Sequence, residues 1–137
     1  MALVSEKKDN SISEEGACHC GTVKFRIKAP LPLSLVRCNC SICRMTGFLH
    51  LFVDKDGLEI LEGEDNLQLY QFGSKTAKHL FCKTCGVKSF YVPRSHPDGW
   101  SINANCLTPE VRQRAHYRDF DGVNWEQNIA GLRAEDA

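Results

Sequence analysis

Phe81-Cys82-Lys83-Thr84-Cys85-Gly86-Val87-Lys88-Ser89-Phe90-Tyr91 is the stretch from which the fold can be read. A Cys-x-x-Cys-Gly run makes a tight turn that aims two sulfurs at one metal ion. The glycine tolerates the backbone conformation such a turn needs and lets amides approach the thiolates. The run that follows, Val87 to Val92, is short and ends at Pro93, as a strand would. A single cysteine pair supplies half of a tetrahedral site, so a closed zinc site must recruit its other half from elsewhere in the chain.

Two further clusters compete for that place: Cys18-His19-Cys20-Gly21 and Cys38-Asn39-Cys40-Ser41-Ile42-Cys43. Cys18 and Cys20 are the favoured partners. Residues two apart in an extended strand face the same side, and Gly21 follows where the chain must bend. Cys18, Cys20, Cys82 and Cys85 then form a structural zinc site across a long loop, and metal binding becomes part of the folding free energy. Cys38, Cys40 and Cys43 remain, three sulfurs within six residues. Three protein ligands and one vacancy are the pattern of a reactive zinc site. Three thiolates weaken zinc as a Lewis acid, so such a site suits an incoming thiolate better than the making of hydroxide. The bland alternative is a fourth protein ligand, with Cys106 or His19 as the candidates. Cys106 reads more naturally as a buried free cysteine, and His19, between two ligands, as a surface residue. His50, His79, His96 and His116 share no ligand spacing and read as structural.

Outward from the clusters the chain is a series of short strands. Gly16 to Lys28 alternates, with Val23, Phe25 and Ile27 on one face. Leu33 to Arg37, Phe48 to Val53, Leu58 to Leu61, Leu67 to Phe72, His79 to Phe81 and Trp100 to Asn103 follow, each bounded by turn residues. The expected fold is all-β, a sandwich or barrel-like arrangement of short antiparallel strands. Thr108-Pro109-Glu110 reads as a helix start. Val123 to Leu132, with Trp125, Ile129 and Leu132 at helical spacing, reads as a short C-terminal helix. Residues 1–15 read as a polar, disordered leader and 16–137 as a single zinc-binding domain.

Composition narrows the compartment and the partners. The chain has 137 residues, eight of them cysteine, and a formal net charge of zero. No secretory leader precedes the first cluster, so a reducing compartment, cytoplasmic or nuclear, is expected, and metal is the better use of the cysteines than disulfides. Balanced charge gives no broad field for nucleic acid. No stretch is long and apolar enough to cross a bilayer.

Gly16-Ala17-Cys18-His19-Cys20-Gly21-Thr22-Val23-Lys24-Phe25, Cys38-Asn39-Cys40-Ser41-Ile42-Cys43-Arg44 and Phe81 to Tyr91 together resemble the glutathione-dependent formaldehyde-activating enzyme family. Pro93-Arg94-Ser95-His96-Pro97-Asp98-Gly99, with Ile102-Asn103 and Cys106-Leu107, is similar to its centromere protein V branch. The founding enzymes carry a glycine where this chain has Asn39. The resemblance implies a zinc-stabilised Mss4-like β fold and two zinc ions per chain, a structural one at Cys18, Cys20, Cys82 and Cys85 and a second at Cys38, Cys40 and Cys43. It also implies joining formaldehyde and glutathione to S-hydroxymethylglutathione, a carbon–sulfur lyase in reverse. Arg44, Lys83, Lys88 and Arg94 are the cations that could receive glutathione's carboxylates. The alternative is a binding or glutathione-carrying module without turnover.

Overall fold

The computed structural model describes residues 11–136, with side chains to Leu132. Ten strands form two sheets. Strands β1 (Ser11–Ala17), β2 (Lys24–Pro30) and β5 (Leu58–Glu62) make a small antiparallel sheet in the order β1-β2-β5. Strands β3 (Ser34–Cys38), β4 (Leu49–Asp54), β6 (Leu67–Tyr70), β7 (Lys78–Cys82), β8 (Phe90–Val92), β9 (Gly99–Asn103) and β10 (His116–Phe120) make a larger one, in the order β10-β3-β4-β9-β8-β7-β6. Three short α-helices, α1 (Ser41–Thr46), α2 (Pro109–Gln113) and α3 (Trp125–Asp136), and four three-residue 3₁₀ turns accompany the strands among the described residues. No helix is long and apolar enough to cross a membrane.

Period-two alternation decides which face of the large sheet is core. Leu51 pairs with Ile102, and Ile102 with Phe90, so these three share one face. That face packs on Phe25, Ile27 and Ala29 of β2, all buried, with the Phe25 and Phe90 rings edge to face at 5.4 Å. The opposite face carries a different row. Phe52 pairs with Ser101, Ser101 with Tyr91, Tyr91 with His79, and His79 with Tyr70. His50, two residues before Phe52, lies on this second face as well. Part of it is covered by α3, whose Ile129 and Leu132 pack with Val36 and Phe120 in a separate small cluster.

The structure departs from the sequence reading at several places; the strand expected over Val87 to Val92 is confined to Phe90–Val92, and β10 was not expected. Strand β1 begins at Ser11, inside the segment 1–15 expected to be disordered; Ser11 to Glu15 pair with Pro30 to Arg26. Two glutamates and two serines gave that strand a polar look, and it is the pairing with β2 that orders it. Residues 1–10, and the rest of that expectation, lie outside the described residues. The strand expected over 16–28 is interrupted, because residues 18–23 form the turn that carries Cys18 and Cys20. Helix α1, unforeseen, starts immediately after Cys40 and ends at Gly47, which has φ +66°. Finally, β10 pairs with β3 in parallel, an exception to the expected antiparallel pattern.

Candidate metal centre and its cavity

The turn between β1 and β2 and the turn after β7 bring the first four sulfurs together. Cys18 Sγ lies 3.7 Å from Cys20 Sγ, and Cys20 Sγ lies 3.7 Å from Cys82 Sγ. Sulfurs arranged tetrahedrally at the zinc–sulfur bond length of about 2.3 Å would be about 3.8 Å apart. These two spacings match a zinc tetrahedron, and all four sulfurs, Cys85 included, lie within 4.8 Å of one another. A turn, not the extended strand anticipated from the Cys-x-Cys spacing, presents Cys18 and Cys20: the Gly21 amide bonds the Cys18 carbonyl at 3.1 Å, with Gly21 at φ +81°. Gly86 does the same for the other pair, its amide 2.8 Å from the Cys82 carbonyl at φ +79°. Val23 N donates to Cys18 Sγ at 3.3 Å, and Thr84 N to Cys82 Sγ at 3.4 Å. Burial raises the Cys18 thiol to about 11 despite the amide of Val23. For Cys82 burial also opposes ionisation, but the amides of Cys85 and Thr84 outweigh it and bring the thiol down to about 6.

The second cluster is built by the end of β3 and the start of α1. The Sγ atoms of Cys38, Cys40 and Cys43 lie within 4.8 Å of one another. The S–H groups of Cys38 and Cys43 stabilise the Cys40 thiolate, which holds it far below the usual thiol range. Cys38 and Cys40 in turn, with burial, push the Cys43 thiol far above it. Backbone closes over the cluster from the other side: a Cβ built on Gly122 would lie 2.5 Å from Cys38 Sγ and 3.0 Å from Cys40 Cβ. Asn39 ties the two segments together. It donates to Asp121 Oδ1 at 3.0 Å and accepts from Val123 N at 3.0 Å. The cluster thus has an all-sulfur donor set and a fitted backbone cradle, both suited to a soft-accepting ion such as zinc.

Seven cysteines fall into two groups as the spacing indicated, and among the described residues no histidine or carboxylate joins either group. His19 is exposed, and Cys106 is half-buried outside both. Neither supplies a fourth ligand to the second cluster.

That cluster lies in the wall of a cavity of about 460 Å³, within the range of small-molecule sites. Phe52, Phe72, Phe120, Trp125 and Ile42 are among its apolar lining. His50 and His79 also reach it, and the sequence had suggested neither. His50 Nε2 is 3.0 Å from Cys43 Sγ, while its Nδ1 is 2.8 Å from Ser101 Oγ and 3.4 Å from the Tyr91 hydroxyl. Burial, with help from Lys88, holds the His50 ring neutral, its pKa lowered to about 3. A neutral ring that donates from Nε2 to sulfur and accepts a hydroxyl proton at Nδ1 satisfies every group in this chain of contacts. One signal in the sequence could have found it. In Leu49-His50-Leu51-Phe52-Val53 the histidine alternates with residues that must face the core.

The suggested cations are scattered. Lys83 is beside the first cluster, its Nζ 3.5 Å from the Asp65 carbonyl. Arg44 is exposed on α1. Lys88 is buried behind His79. Arg94 reaches the cavity, but it is paired with Glu126 and stacked 3.6 Å over the Trp125 ring.

A mainly β fold with a four-sulfur cluster, a separate three-sulfur cluster and a cavity beside the latter defines a class: β domains with metal-competent cysteine sites open to small molecules. The chain belongs to the glutathione-dependent formaldehyde-activating enzyme family, whose sequence profile matches residues 13–120. A curated protein of Halomonas elongata, provisionally named a glutathione-dependent formaldehyde-activating enzyme, is 40% identical over 126 residues, covering 81% of this chain and 78% of its own length. A crystal structure of a Rhodobacter sphaeroides protein superposes with a TM-score of 0.67 at 34% identity, covering 76% of this chain and 99% of its own.

Proposed function

We propose that this protein binds two zinc ions, one in each cysteine cluster, and acts as a carbon–sulfur lyase that joins a small glutathione-like thiol to an aldehyde and splits the adduct in reverse. The observation that carries the reading is the contrast between the clusters. Four sulfurs gather in one cluster, enough for a closed tetrahedral site, whereas three gather beside a cavity large enough for a reactant.

When bound at Cys38, Cys40 and Cys43, zinc lowers the pKa of an incoming thiol and keeps it as the thiolate at neutral pH. The rest falls to the chain's own residues. His50, fixed by Ser101 and Tyr91, holds Cys43 in orientation. Asn39 and Asp121 hold the Cys38–Cys40 turn against the segment before α3. Phe52, Phe120 and Trp125 exclude water from the place where sulfur and carbonyl carbon meet. The chemistry needs no oxidant. The thiolate sulfur bonds the carbonyl carbon, the π pair moves to oxygen, and the proton that the thiol gave to solvent returns to that oxygen.

Metal analysis and exchange spectroscopy test this. Two zinc equivalents per chain are expected, with the thiol–aldehyde adduct interconverting faster than in buffer. Cys38→Ser should lose one equivalent and at least ~100-fold in rate, the upper end of what the loss of a group merely supporting a ligand costs. A Cys38→Ser protein that exchanges adduct at the wild-type rate would rule out the second cluster as the reaction site. Tight thiol binding without turnover would leave a carrier module instead.

A further inference from the structure

The proposed reaction develops negative charge on the carbonyl oxygen, and a site for it needs a fixed donor. Neither His50 nor Arg94 is available, since each already has its partners. His79 is differently placed. It stands on the cavity face of β7, its ring stacked between Phe72, at 5.4 Å and 19°, and Tyr91, at 4.6 Å and 14°. Its Nδ1 is 2.9 Å from Lys88 Nζ. Lys88 is only 7% exposed, and its Nζ lies 4.7 Å from the Phe48 ring centre and 4.4 Å from that of Tyr91.

An ammonium has donors and no acceptor. Lys88 therefore makes Nδ1 the acceptor, and the neutral ring must carry its proton on Nε2. Burial lowers Lys88 to about 8, which leaves it charged at neutral pH. Burial and Lys88 together lower His79 to about 4, which leaves the ring uncharged. Among the described residues Nε2 has no hydrogen-bond partner, and it is not among the atoms sealed from solvent without one. The result is a rigid N–H at the cavity wall, held in one tautomer by a buried cation.

The walls beside it bear on what enters. Phe52, Phe72, Phe120 and Trp125 line the cavity, and the cation that reaches it, Arg94, is taken up by Glu126 and Trp125. The charged ends of a glutathione-like thiol gain nothing from such a lining and are better left in water at the mouth. Formaldehyde has no body to cover it.

Resting on the lyase reading, we propose that His79 donates from Nε2 to the carbonyl oxygen, that Lys88 is the positioning residue which fixes its tautomer, and that the aldehyde taken has an apolar body of aromatic size. In the forward step the carbon–sulfur bond forms as the carbonyl π pair moves to the oxygen, which the His79 N–H stabilises until a solvent proton reaches it. Reversal breaks the same bond and restores the carbonyl.

The test uses the full zinc-loaded chain, glutathione, and either formaldehyde or phenylacetaldehyde, with adduct exchange followed by proton NMR. Wild type should show kcat/KM at least ~10-fold higher for phenylacetaldehyde, from the apolar surface it buries. His79→Phe keeps the stacking and removes the donor; kcat should fall ~100-fold with little change in KM for the thiol. His79→Gln restores an N–H and should recover part of that loss. Nitrogen-15 NMR of the wild-type ring should give the Nε2–H tautomer, and Lys88→Met should abolish the preference. An Nδ1–H tautomer in wild type, a His79→Phe protein as fast as wild type, or a preference for formaldehyde would overturn the inference while the lyase reading stands. If wild type speeds neither aldehyde, the lyase reading falls first and takes this inference with it.

Discussion

His50 and His79 show how far one residue's protonation reaches. Burial, with the charge of Lys88, takes both well below the ordinary histidine value of 6.5, to about 3 and about 4. The sign follows directly. In acid the unfolded chain binds protons that the folded one refuses, so these groups contribute their full stability above pH 6.5 and lose it as pH falls towards 4. Each tenfold loss of proton affinity on folding is worth about 1.4 kcal/mol, so the pair withdraws several kcal/mol over that window. Thermal melts from pH 7 to pH 4.5 should show Tm dropping steeply, and the drop should be shallower in His79→Phe. Acidification would also strip metal from the thiolates, so the difference between the two proteins is the quantity that decides. Identical slopes would mean that His79 does not titrate as described.

At the scale of elements, the decisive joint is that between the β3–α1 turn and the segment leading into α3. Asn39 N bonds the Phe120 carbonyl at 3.3 Å, and its side chain reaches both Asp121 and Val123. Asp121 in turn accepts from Asn124 Nδ2 at 2.8 Å. Gly122 sits where any side chain would meet Cys38. Gly122→Ala should therefore cost about 1–3 kcal/mol by overpacking. More tellingly, it should reduce cobalt or zinc binding from two equivalents to one, because the first cluster is built elsewhere. Two equivalents retained at unchanged affinity would show that the Gly122 backbone is not part of the second site's cradle.

For the molecule as a whole, the first cluster links the small sheet to the large one. Cys18 and Cys20 stand in the turn between β1 and β2, whereas Cys82 and Cys85 belong to the end of β7 and the turn beyond it. A metal held there would close a long loop and act much as a disulfide does. Cys85→Ser, or a strong chelator, should lower stability by roughly 2–5 kcal/mol, the range for removing a native crosslink from a small domain. Circular dichroism melts with and without chelator measure it, and an unaltered Tm would contradict the staple. Cys38→Ser should have the smaller effect on melting and the larger on adduct exchange, which separates the two clusters by their consequences.

The three cysteine clusters could be read from the chain because their spacing is local, whereas the turn that presents Cys18 and Cys20 and their meeting with Cys82 and Cys85 belong to the tertiary structure. Cys-x-x-Cys-Gly carries its own bend, and short alternating runs carry their own faces. The tertiary structure alone decided which of those faces is core and which is cavity, because alternation defines two sides without saying which one the small sheet covers. It also decided the order of β1, through its pairing with β2, and the parallel pairing of β10 with β3, where Arg37 and Asp119 meet across 82 positions. Lys88 and His79 acquire their relation only through the register of β7 on β8 and the burial that follows it. Long-range pairing sets those environments, and no spacing of residues along the chain encodes them.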